Sequence, residues 1–261
     1  MASMYWIKQT KEAPSFPELI WNKPENKLHA GKLLIIGGSL HAFSAPSTAF
    51  SKATSAGAGS IRLLLPVSIK KTVVSLLPEA DFAPVTPSGS FSKLALSQFL
   101  EHSTWADGVL LAGDFGRNSE TTILLERFIQ ETTSLAIIVE DAVDNLMHTP
   151  SFANNPKVVA ITNFTQLQKL AMKLKFKTAF TSGMSLSSLA ETLHEFSEQY
   201  SMAVVTVFEN NYIVSYQGRV SSTPISSSTN TGIAMASILS VWAIQNPNNL
   251  FEALTTVITQ S

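Results

Sequence analysis

Leu33-Leu34-Ile35-Ile36-Gly37-Gly38-Ser39, then Ser44 to Ala58, then Ile61-Arg62-Leu63-Leu64-Leu65 is the stretch that decides how this chain folds. The two apolar runs are continuous rather than alternating, as expected of parallel strands covered by helices on both faces. Ser44 to Ala58 has the spacing and length of the crossover helix that parallel pairing requires. The unit is strand, helix, strand, and the first strand ends in glycines.

The same unit recurs outward from there. Further strands are read at Gly108-Val109-Leu110-Leu111, Leu135 to Val139, Val158 to Ile161 and Ala203 to Val207. Helical patterns occupy Ser119 to Thr132, Thr165 to Lys175 and Ser185 to Tyr200. Tyr212 to Tyr216 and Arg219-Val220, joined by Gln217-Gly218, read as a hairpin with glycine in the turn. A small polar loop, Ser226 to Gly232, feeds an apolar helix from Ile233; Asn246 to Asn249 ends it, and Leu250 to Ile258 forms a last amphipathic helix. The expected fold is a three-layer α/β/α sandwich with a mostly parallel central sheet and an antiparallel edge hairpin. Residues 1–261 read as a single domain, with residues 1–26 an N-terminal extension packed on it.

Composition narrows the function classes. With 45% hydrophobic and 14% charged residues, the 261-residue chain can bury one large core. The formal charge of -1 leaves no electrostatic footprint for nucleic acid or an anionic membrane, so any nucleotide bound is a small molecule. The absence of cysteine excludes disulfides, thiol nucleophiles and thiolate metal sites. No signal-like run opens the chain, and Ile233 to Ile244 is too short to cross a bilayer. The expected setting is cytoplasmic, and a domain of this type is expected to form a homo-oligomer.

Three segments could carry chemistry. Gly37-Gly38-Ser39 would bring backbone amides close to a ligand, or would make a tight strand-to-helix turn. Ala112-Gly113-Asp114-Phe115-Gly116-Arg117 offers small residues and a guanidinium for phosphate, or a solvated loop charge. Asn230-Thr231-Gly232 would place helix N-terminal amides around an anion, or would be an ordinary cap. Glu140-Asp141 ends a strand, where either carboxylate could bind Mg²⁺ through water. His29, His41, His102, His148 and His194 lack ligand spacing, and no metal site is read.

Taken in order from Lys27 onward, these segments resemble the C-terminal, carbohydrate-kinase-like domain of the NAD(P)H-hydrate dehydratases. Lys27 to Gly31, Gly37-Gly38-Ser39, Phe43-Ser44-Ala45 and Ala56-Gly57-Ala58-Gly59 are similar to the family's opening K-G-x-x-G, V-I-G-G-S, Y-T-G-A and A-G-A-G run. Ala112 to Arg117 is similar to its G-P-G-L-G-R loop, Glu140 to Leu146 to D-A-D-A-L-N, and Asn163 with Gln166 to P-H-P-G-E. The resemblance implies a ribokinase-like fold and ATP- or ADP-dependent dehydration of a hydrated nicotinamide nucleotide, with Mg²⁺ in an active member. It implies substrate contacts at Gly37, Gly38, Ser39, Gly116, Arg117 and Asn163, and nucleotide contacts at Asn230, Thr231 and Gly232.

The family's G-[ST]-G-D signature falls on Asn230-Thr231-Gly232-Ile233, so its catalytic aspartate position is Ile233. An isoleucine cannot take a proton from an attacking hydroxyl. No Asp or Glu occurs from Asn210 to Phe251, so a replacement base would come from a distant strand end: Asp114, Glu140 or Asp141. The family's V-L-K-G-A lysine falls on Phe208, its glycine on Glu209, and the acid of H-P-G-E on Gln166. The expectation is a divergent member that keeps the fold and a nucleotide or ligand pocket without the family's catalysis; the alternative is an active lyase or small-molecule kinase with a relocated base.

Overall fold

Strands form where apolar residues can be covered from both sides, and the sheet edges show where that cover ends. In the computed structural model, which describes residues 5–21, 23–226 and 232–260, the apolar runs become β2 (Lys32–Gly37), β3 (Ser60–Pro66), β5 (Gly108–Gly113), β6 (Leu135–Val139), β7 (Val158–Thr162) and β8 (Ala203–Phe208). The hairpin becomes β9 (Asn211–Tyr216) and β10 (Arg219–Pro224). Two short strands, β1 (Trp6–Lys8) and β4 (Asp81–Ala83), lie at the two edges. Among the described residues the sheet has ten strands in the order β1-β10-β9-β8-β7-β6-β5-β2-β3-β4, antiparallel only at β8/β9 and β9/β10.

The helices are α1 (Glu18–Trp21), α2 (Ser44–Ser55), α3 (Lys70–Val73), α4 (Leu96–Trp105), α5 (Ser119–Glu131), α6 (Asp141–Leu146), α7 (Phe164–Lys173), α8 (Leu186–Gln199), α9 (Gly232–Gln245) and α10 (Leu250–Ile258). Alternate residues along each strand enter two separate cores. Leu34, Leu111, Ile138 and Val204 pack with Phe99, Phe128, Leu167 and Phe196 from α4, α5, α7 and α8. Leu33, Leu110, Ile137 and Val205 pack with Ala49, Leu239, Trp242 and Leu254 from α2, α9 and α10. This is the three-layer α/β/α arrangement. No helix among the described residues is long and apolar enough to cross a membrane.

Three details differ from the sequence reading. The hairpin is not the sheet edge, because β1 pairs in parallel beyond β10. The amino-terminal segment thus does more than pack on the domain: Trp6 Nε1 donates to Ser222 Oγ at 3.0 Å, and Gln9 Nε2 donates to Thr223 Oγ1 and the Thr255 carbonyl at 2.8 and 2.7 Å. A three-residue strand is too short to carry a readable alternation. The last helix, α10, is amphipathic in sequence but buried on its polar side as well: every residue in it but Glu252 is buried, as it packs against β9, β10 and α9. Both turns of the β8–β9–β10 meander take left-handed backbone at consecutive residues, Glu209-Asn210 and Gln217-Gly218, as two-residue hairpins require.

Candidate functional site

The C-terminal ends of β2, β5, β6, β7 and β8 meet along one rim, the place where open α/β sheets bind ligands. At its centre β2 and β5 shift register between Ile36 and Gly37. The Gly38 amide donates to the Gly113 carbonyl at 2.9 Å, and a Cβ on Gly37 would lie 2.6 Å from that same oxygen. Only glycine fits this approach. Ser39 is buried, exchanges backbone hydrogen bonds with Ala42 at 2.7 and 3.2 Å, and lies near Gly116. Gly37, Gly38 and Ser39 therefore support the loop that carries Gly116 and Arg117, and they line neither rim cleft described below.

The three acids proposed as replacement bases are placed differently. Asp114, with φ 61°, turns its carboxylate onto the start of α2, where Oδ2 accepts from the Ala45 amide at 2.8 Å. It supplies the cap that Phe43, the residue before α2, does not provide. Asp141 Oδ2 accepts from the Gly116 amide at 3.1 Å, while Oδ1 is buried without a hydrogen-bond partner. Burial above all, with the neighbouring Asp114 and Glu140 charges, pushes the Asp141 carboxyl up to about 6 despite the opposing bond from Gly116. Glu140 has φ 55° and ψ -132°, an uncommon conformation for a residue with a side chain, and is exposed. Its Oε1 lies 3.5 Å from where a Cβ on Gly232 would stand, so its carboxylate sits beside the first residue of α9.

Two clefts open along this rim and share Asp141 and Asp144 as a common wall. The first, about 470 Å³, is lined by Glu140, Asn163, Gln166, Tyr212 and Gly232, with Thr162 and Thr206 at the strand ends. Asn163 and Gln166 form a capping box on α7, and Gln166 Nε2 also donates to the Glu140 carbonyl and to Asp144 Oδ2, each at 2.9 Å. Thr162 and Thr206 are register partners whose buried hydroxyls have no hydrogen-bond partner. Burial pushes the Tyr212 hydroxyl up to about 12, keeping it protonated. The second cleft, about 540 Å³, is lined by Gly116, Arg117, Asn118, Thr122, His148 and Lys169. Both volumes suit small molecules.

Of the residues expected to contact ligand, the structure thus places Asn163 and Gly232 in the first cleft and Gly116 and Arg117 in the second. Asn230 and Thr231 lie outside the described residues. Ile233 is half-buried in the first turn of α9 and packs against the α2/α9/α10 core. Phe208 is buried in the other core with its ring centroid 4.7 Å from that of Phe164. His148 and Lys169 were given no role by sequence. The signal for Lys169 was its place three residues after Gln166 on the same helix face; His148 had none, being in an irregular turn after α6.

Among the described residues no group of three or more His, Asp or Glu side chains could hold a metal ion. Mg²⁺, commonly bound by one or two carboxylates together with substrate phosphates, would fit only as part of a nucleotide complex. A larger groove, about 680 Å³, opens at the opposite end of the strands beside Asp107, Lys157 and Tyr216. It lies away from all of the loops just described, so its size does not make it the candidate site.

No family model matches the chain. Its structure is similar to that of a ribokinase-like superfamily protein from Enterococcus faecalis V583, with a TM-score of 0.72 at 14% identity over 99% of this chain and 87% of that one. It is also similar to a hypothetical protein from Streptococcus mutans, with a TM-score of 0.69 at 17% identity over 93% and 84% of the two chains. The ADP/ATP-dependent NAD(P)H-hydrate dehydratase from Bacillus subtilis, co-crystallised with ATP and Mg²⁺, gives a TM-score of 0.56 at 13% identity over 91% and 80%. Likeness at such identities is a likeness of architecture, and this chain has the ribokinase-like fold, shared with kinases and with a hydrate dehydratase.

Proposed function

We propose that this protein binds a small nucleotide-class ligand at the C-terminal rim of its sheet and does not carry out the ATP- or ADP-dependent hydrate dehydration of the family it resembles. The start of α9 supports this reading: Ile233, which the resemblance aligns with the family's base, is half-buried there, and the Glu140 carboxylate lies beside Gly232. A helix start stabilises a negative charge, and here the protein's own carboxylate is placed to take that stabilisation. A triphosphate at the same place would meet that charge, with Glu140, Asp141 and Asp144 around the cleft and no basic side chain among its described lining residues. Phe208, buried against Phe164, leaves no lysine to offset them.

Two rim clefts of small-molecule size support the ligand-binding reading. A thermal-shift series with ATP, ADP, AMP and NADPH tests it: a ligand at one hundred times its dissociation constant adds about 2.7 kcal/mol to stability, a readily measured rise in Tm. No shift with any of the four would overturn the binding half of the proposal.

A second reading has a specific observation in its favour. Of the three acids that could replace the missing base, Asp114 caps α2 and Asp141 is held by Gly116, whereas Glu140 reaches the start of α9. Glu140 would then take the proton from a ligand hydroxyl. Turnover in the wild type that disappears in Glu140→Gln would establish this reading in place of the first.

A further inference from the structure

We infer that the phosphate end of the ligand is bound in the second cleft, by Arg117, His148 and Lys169, and not at the start of α9. This deepens the nucleotide reading above, on which only the ADP arm of its test rests. The three side chains come from separate places in the chain: the loop after β5, the turn after α6, and the middle of α7. All three line one cleft of about 540 Å³.

Elsewhere the chain pairs several of its cations: Arg127 with Glu131, Lys177 with Glu195, and Arg219 with Glu252. Arg117, His148 and Lys169 have no ion-pair or side-chain hydrogen-bond partner among the described residues. One unpaired surface cation means little. Three on separate elements around one cavity form a charge-complementary seat for a phosphate, whose oxygens take charge-assisted hydrogen bonds. The two acids in the same cleft are already turned to protein donors, Asp141 Oδ2 to the Gly116 amide at 3.1 Å and Asp144 Oδ2 to Gln166 Nε2 at 2.9 Å.

The neighbouring cleft shows the opposite character. It has the same Asp141 and Asp144, adds Glu140, and has no basic residue among its described lining residues. Residues 227–231 are Ser-Ser-Thr-Asn-Thr in sequence and include no charged residue. The start of α5, with Asn118 as its cap, adds its amide dipoles on the cationic side. A phosphate entering the rim therefore finds attraction on one side of the Asp141/Asp144 wall and repulsion on the other. A nucleotide and a sugar phosphate share this chemistry, and the ligand panel separates them.

The test is isothermal titration of the full chain at low salt with inorganic pyrophosphate, ADP and ribose 5-phosphate. It compares the wild type with Arg117→Gln, Lys169→Gln and the exposed control Lys71→Gln, which lines neither rim cleft. Pyrophosphate is expected to bind the wild type and Lys71→Gln alike, and to bind each cleft variant about tenfold more weakly, the loss of one charge-assisted bond. The tighter binder of ADP and ribose 5-phosphate identifies the source. The two cleft variants lie on different elements, so either one decides if the other fails to fold. No pyrophosphate binding to the wild type at millimolar concentration, or binding unchanged in the variants, would overturn the inference. Pyrophosphate binding without ADP binding would instead remove the nucleotide reading and leave this phosphate site standing.

Discussion

Replacing Asp141 by asparagine should stabilise the protein, and by an amount that depends on pH. In the folded chain the carboxyl is raised from 3.8 to about 6, chiefly because its surroundings desolvate it. Below pH 4 the acid is protonated folded or unfolded and contributes no penalty. Between about 4 and 6 the unfolded chain gives up the proton while the folded chain keeps it, so stability falls as pH rises. Above that window both forms are ionised and the folded state carries the full penalty, up to about 3 kcal/mol for a rise of this size. Asparagine has no such penalty, and its side-chain oxygen can still accept from the Gly116 amide now held by Asp141. Urea unfolding of wild type and Asp141→Asn at intervals from pH 4 to 8 measures the difference directly. The variant should match the wild type near pH 4 and exceed it by up to about 3 kcal/mol at pH 7 to 8, with the change falling between 4 and 6. A difference in stability that is the same at pH 4 and pH 8 would refute the assignment of a desolvated carboxyl here.

Asp114→Ala should cost about 1 to 2 kcal/mol in urea unfolding, since it removes the acceptor at the Ala45 amide that caps α2. Gln9→Ala should release the amino-terminal strand, seen as faster amide exchange at Val220 and Ser222 than at the central strands; those amides stay protected if Gln9 is not what holds β1. Ile233→Asp should lower Tm, because Ile233 packs against the α9 core, and should not create hydrate turnover while Phe208 stays buried.

Much of this architecture is legible in sequence because its strands are buried on both faces. Leu33 to Ile36 and Leu135 to Val139 have no polar position to blur the run, and the helices between them keep their spacing. The edge strands β1 and β4 are not legible: three residues each, half covered, they are defined by partners distant in the chain such as Val220 to Ser222. The site divides in the same way. Gly113, Asp114 and Gly116 stand out as a loop after a strand, but nothing local says that Asp114 turns back to cap α2. The left-handed Glu140 backbone, with its carboxylate beside Gly232 and its carbonyl bonded by Gln166, involves residues far apart in sequence that no local pattern links. Arg117, His148 and Lys169 span 53 positions of sequence and become a cluster only when β5, α6 and α7 are brought side by side.

The claim that this fold has kept a ligand site and lost the dehydration chemistry is tested most directly by incubating the full chain with hydrated NADH and ATP or ADP, following recovery of the reduced nicotinamide absorbance. The arrangement of Ile233, Glu140 and Phe208 predicts a rate no different from the protein-free control. Sustained turnover above that control, proportional to protein concentration, would contradict it.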